Sequence, residues 1–172
     1  TFMVPQGISS AAAVVVGKSL GAGDYRQAGI DGWTTLGLGI VFMGCAALAF
    51  LVLPGTLLRF FTSDPQVVAL GTSLLMIAAL FQVFDGCQVV SIGLLRGLGN
   101  TRTAMISSLV VHWGMAMPAC YFLCFIVDLG VIGLWIGLCG DLMLIACWLI
   151  WKWHHTIRGL QATLSAAPGF PE

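Results

Sequence analysis

Apolar residues along this chain gather into five long blocks separated by short polar joints. Thr1–Leu20 is the first, closed by Gly21 and Gly23. Trp33–Leu53 contains no charged residue and ends at Pro54-Gly55. Val67–Leu95, Ala104–Val127 and Leu129–Trp151 follow. Blocks of about 20 apolar residues match the helix length that crosses a bilayer. Glycines just past the first block suit a helix end. In "FFTSDPQVV" (60–68), Ser63 or Asp64 can cap a helix whose first position is Pro65. The pattern predicts one all-α integral membrane unit over residues 1–153. Its five helices lie near 1–20, 33–53, 67–95, 104–127 and 129–151. The tail, 154–172, ends in "SAAPGFPE" and is expected to be disordered. The first block is already apolar at Thr1, which reads as a helix truncated at its start in a piece of a longer protein.

Composition agrees with the blocks. Of the 172 residues, 59% are hydrophobic and 8% charged, where a soluble domain carries about 25% charged residues. Net charge is zero and no basic-aromatic patch occurs, so nothing points to nucleic acid. The six cysteines all lie in apolar blocks and read as small packing residues. "AVVVGKS" (13–19) has the tail of a phosphate-binding loop, but Ala12 stands where that loop requires glycine. Gly133, Gly137 and Gly140, like Gly93 and Gly97, are spaced for close helix approach.

The cations fall on alternate joints. Lys18 and Arg26 flank the first, Arg96 and Arg102 the third, and Lys152 and Arg158 the tail, while Arg59 is alone in the second. Cytoplasmic joints attract Lys and Arg. The expected topology therefore puts the first joint, the third joint and the C-terminus in the cytoplasm.

Against this background a few polar residues within the blocks stand out. Asp85 is the only charged residue between Val67 and Leu95, ten residues before the end of the block. Ten residues of helix rise about 15 Å, which places Asp85 near the middle of a core about 30 Å thick. A charge there is costly and should face protein or water. Gln82 and Gln88 flank it at three-residue spacing, and Ser91 extends the row. A carboxylate with amides beside it can hold a proton or a cation, including Na+, or both in alternation. Asp141 in the fifth block and His112 in the fourth are secondary candidates for proton or cation binding. Pro5 and Pro118 interrupt the hydrogen-bond ladder, and each reads as a kink, a hinge or a cavity wall.

Four stretches, in order, make the chain similar to the bacterial branch of the multidrug and toxic compound extrusion (MATE) family. "VPQGISSAAAVVVGKSLGAGDYRQA" (4–28) resembles the family's Pro-x-Gly to Leu-Gly-Ala-Gly segment in the eighth helix and the loop after it. "FFTSDPQVV" resembles one of the family's helix starts. "FQVFDGCQVVSIGLLRGLGNTRT" (81–103) resembles the tenth helix and its Leu-Arg-Gly-x-Gly turn, and "GLWIGL" (133–138) the start of the twelfth. The resemblance covers residues 1 to about 153.

It implies a transporter of twelve helices in two pseudo-symmetric lobes, with this chain supplying helices eight to twelve, the first truncated. Such proteins exchange small cationic, amphipathic drugs outward for inward H+ or Na+, with no resident cofactor. The implied partners are those cargoes, the lipid bilayer and the missing N-terminal helices, in the cell (inner) membrane. By the same resemblance Asp85 occupies the position of a tenth-helix carboxylate that takes part in cation binding. There are departures. Phe81 stands where some relatives carry an aromatic hydroxyl, His112 where tyrosine is frequent, and Asp141 where a small or apolar residue is usual. Two alternatives are a lipid-linked oligosaccharide flippase of the same superfamily and an intramembrane enzyme. Apart from Lys18, near the end of the first, no Lys or Arg lies within the blocks to meet a lipid phosphate, and no Gly-x-Gly-Asp or His-Glu-x-x-His motif supports catalysis.

Overall fold

The computed structural model describes residues 1–62 and 64–165. Helices dominate: α1 (Met3–Gly21), α2 (Tyr25–Val52), α3 (Pro54–Arg59), α4 (Pro65–Gly97), α5 (Thr101–Leu109), α6 (Met117–Tyr121) and α7 (Gly130–Ser165). Wider π-helical turns at Val110–Ala116 and Phe122–Ile126 join α5 and α6 into one span, Thr101–Ile126. There is no strand among the described residues. Four helices there are long and apolar enough to cross a membrane: α2, α4, the Thr101–Ile126 span and Gly133–Thr163 of α7. The shorter α1, with Gln6, Ser9, Ser10 and Lys18, is a fifth helix of the bundle but not one of these four.

Local chemistry sets the ends. Asp64 caps α4 by accepting from the Gln66 N–H at 2.9 Å, and Pro65 occupies its first turn. Ser63, the other capping candidate, lies outside the described residues. Gly23 follows α1 at φ +76°, a left-handed conformation that glycine adopts without strain. Asp24 then caps α2 through the Gln27 N–H, so α2 begins at Tyr25 rather than near residue 33.

The tail departs most from expectation. Residues 154–165 are not disordered but continue α7. Ile145, Leu149, Trp153 and Ile157, each buried, recur every four residues and keep one face of α7 on the bundle. Such a stripe extends a helix by tertiary packing even where the sequence turns polar. The Trp153 ring fills the space where Gly32 lacks a Cβ, and Gln161 Nε2 donates to the Tyr25 carbonyl at 3.0 Å. "AAPGFPE" (166–172) lies outside the described residues.

α4 runs through the centre, packed on α1, α2 and α7. Small residues set these crossings. A Cβ at Gly93 would collide with the Ser9 backbone carbonyl, and one at Gly97 would lie 3.0 Å from the Ala13 carbonyl. Gly86 and Gly39 do the same for α2 on α4, against Met43 and Val90. Gly133 and Gly137 admit the Leu123 carbonyl and Cys120 from the preceding span. Gly140 breaks the expected pattern, since a Cβ there would meet nothing within 4 Å.

The core joins Ala12, Val16, Leu36, Val90, Leu94, Leu149, Trp153 and Ile157, among others. It lies toward the end of the bundle that carries Lys18, Arg26, Arg96, Arg102 and Arg158. Large apolar side chains such as Val41, Leu48, Leu80, Trp113 and Phe125 are exposed on the outside. A soluble monomer rarely displays so much apolar surface, but a bilayer covers it at no cost.

Candidate functional site

The site is built on the middle of α4, where the two glycine crossings hold the backbone against α1 and α2. Gln82, Gln88 and Ser91 are buried, with 6%, 8% and 0% of their surface exposed. Asp85 is half-buried. At 3.6 residues per turn a three-residue step falls short of a full turn by about 60°. The row therefore winds around α4 instead of forming a straight stripe.

No hydrogen bond joins the Asp85 carboxyl to either glutamine among the described residues. Gln82 Nε2, Gln88 Oε1 and Ser91 Oγ are each buried without a partner. A buried polar atom left unsatisfied costs about 1–3 kcal/mol, so a run of three beside a carboxylate marks an incomplete polar environment. Ser9 of α1, absent from the sequence candidates, donates its Oγ to the Val89 carbonyl at 2.6 Å. That bond pins α1 to α4 beside Gln88. The matching pair of small residues, Ser9 and Gly93, was its only signal in the sequence.

The structure brings the two secondary candidates together. His112 Nε2 lies 3.5 Å from Asp141 Oδ2, linking the Thr101–Ile126 span to α7. The Asp141 side chain is 2% exposed, and His112 Nδ1 and Asp141 Oδ1 remain unpartnered. Both residues line a cavity of ≈ 420 Å³ with Trp113, Met117, Cys120 and Leu138, and Asp85 is not part of that lining. The carboxylates thus belong to two separate settings.

The prolines also differ. Pro5 is buried in the first turn of α1, a position where a helix tolerates a missing N–H. Pro118 is exposed and lies in the first turn of α6, between the two π-helical turns. Those wider turns re-route the hydrogen bonds that proline cannot make. No three His, Cys, Asp or Glu side chains cluster as a metal site among the described residues.

Apolar helices of spanning length, glycine crossings and an intramembrane carboxylate define a multi-pass membrane protein. A family model, MatE, matches residues 1–122. The chain belongs to the MATE family. It is 41% identical over 170 residues to the probable multidrug resistance protein NorM of Burkholderia pseudomallei, covering 96% of this chain and 36% of that protein. It is 34% identical over 171 residues to the corresponding protein of Brucella suis, with the same coverage. Its fold matches an inward-facing multidrug resistance MATE family transporter at a TM-score of 0.83 and 17% identity, covering 96% of this chain and 39% of that one. The eukaryotic MATE transporter AtDTX14 gives 0.77 at 24% identity, covering 94% and 37%. The chain therefore spans little more than a third of the length of these relatives.

Proposed function

We propose that the chain forms helices eight to twelve of a cation-coupled antiporter that exports cationic, amphipathic drugs by alternating access between two lobes. One observation carries this reading: Asp85, half-buried on the central helix, stands in a row of buried polar groups without partners. Such a row suits a site completed by cargo and by the opposite lobe. Asp85 binds the coupling ion, H+ or Na+, and the drug in alternation, and Gln82 and Gln88 supply amide oxygens. His112 and Asp141 form a secondary polar contact, Pro118 with its π-helical turns is the hinge, and Pro5 is part of the wall. The protein acts in transport rather than catalysis, in the inner membrane, with its C-terminus in the cytoplasm. The names of the bacterial relatives, multidrug resistance proteins, support the cargo class.

The test is transport by the full-length protein in proteoliposomes. A pH or Na+ gradient directed against the drug should drive uptake of a fluorescent organic cation, and dissipating the gradient should stop it. Transport that is indifferent to both gradients would overturn the coupling.

Orientation has its own check. In a cysteine-free full-length background, Arg26→Cys and Asn100→Cys should be labelled by an impermeant thiol reagent only from the cytoplasm. Leu57→Cys should be labelled only from outside. The reverse pattern would invert the topology.

A further inference from the structure

At the basic end of the bundle, away from the Asp85 row, a cavity of ≈ 450 Å³ opens between α2 and α7. Its walls include Arg26, Ile30, Trp33, His154, Arg158 and Gln161. Arg26 and Arg158 are exposed, and among the described residues neither has a carboxylate within 4.0 Å. The two acids nearest in sequence are engaged elsewhere: Asp24 caps α2, and Asp31 accepts from Ser19 and Gln27. His154 is half-buried, and its Nδ1 is buried with no hydrogen-bond partner. The walls are held in place from both sides. Gln161 ties α7 to the Tyr25 carbonyl, Ile157 is buried, and Trp33 meets the His154 ring edge-on with centroids 5.7 Å apart.

Two arginines lining one cavity supply the fork of N–H donors that a phosphate accepts. Height in the membrane narrows the source. Trp33 and Trp151 are exposed at this level, as expected of aromatic side chains in the interfacial belt, and Ile30 on the rim is 50% exposed. A free phosphate would satisfy the arginines but leave that apolar rim uncovered. A phosphate carrying acyl chains would satisfy both. We infer that this cavity binds the headgroup phosphate of an anionic phospholipid, held by Arg26 and Arg158 with His154 beside them, its chains lying along Ile30 and Trp33. Basic pockets between membrane helices take anionic headgroups elsewhere on the same physical grounds.

The test is native mass spectrometry of the detergent-solubilised full-length protein titrated with phosphatidylglycerol, phosphatidylcholine or inorganic phosphate. The wild type should retain phosphatidylglycerol in preference to phosphatidylcholine. Each of Arg26→Gln and Arg158→Gln should weaken that binding by about fivefold, while Arg59→Gln at the opposite end should leave it unchanged. Both arginines are exposed, so folding should be intact, and Arg26→Lys/Arg158→Lys, which keeps the charge but not the fork, should keep part of the binding. Equal retention of the two lipids, or no loss in either glutamine variant, would overturn the inference. Displacement of the lipid by millimolar inorganic phosphate would also overturn it, reassigning the site to a soluble anion.

Discussion

Gly93→Leu in the full-length protein should abolish the accumulation of folded transporter. At Gly93 even a Cβ would strike the backbone carbonyl of Ser9, a group that cannot swing aside as a side-chain tip can. Relief requires α1 to move off α4, which breaks the Ser9-to-Val89 hydrogen bond and opens the Val16–Leu94 core. Overpacking alone costs about 1–3 kcal/mol, and the lost contacts add to it. Gly140→Ala is the internal control, since its Cβ meets open space and alanine favours the helix by about 0.5–1 kcal/mol. Size-exclusion profiles of the two variants should show the first aggregated or absent and the second like wild type. A monodisperse, normally melting Gly93→Leu protein would mean that α1 does not pack on α4 as described.

Helix placement was legible because bilayer-length apolar blocks leave few alternatives. Asp64 and Pro65 fixed the start of α4, and Gly21-Ala22-Gly23 the end of α1. What the pattern lost was packing between residues distant in the chain. The last turns of α7 looked like a polar tail because Trp153 and Ile157 count as a stripe only when continued from Ile145 and Leu149. Glycine spacing marked Gly93, Gly97, Gly133 and Gly137 for close contact, but the same spacing included Gly140, where a Cβ meets nothing within 4 Å among the described residues. In the site, depth within an apolar block and the flanking Gln82 and Gln88 singled out Asp85. The pairing of His112 with Asp141 had no signal in the chain, because their helices meet only in three dimensions.

The largest functional effect should come from Asp85→Asn. An antiporter needs one site whose charge changes with its occupant, and asparagine keeps the shape of aspartate but can neither release a proton nor carry charge. The variant should insert and fold, since Asp85 accepts no hydrogen bond on which packing depends among the described residues. Ion and drug would then no longer be linked through it. A coupling of about 1–3 kcal/mol is a 5- to 150-fold effect of ion and drug on each other's affinity, and its loss removes the link by which a gradient drives uptake. Asp141→Asn should do less, because that side chain sits in a separate cavity with His112. The most direct measurement is gradient-driven uptake of an organic cation by full-length Asp85→Asn in proteoliposomes, normalised to monodisperse protein. The account predicts uptake near background with wild-type thermal stability. Uptake at the wild-type rate by the well-folded variant would contradict it.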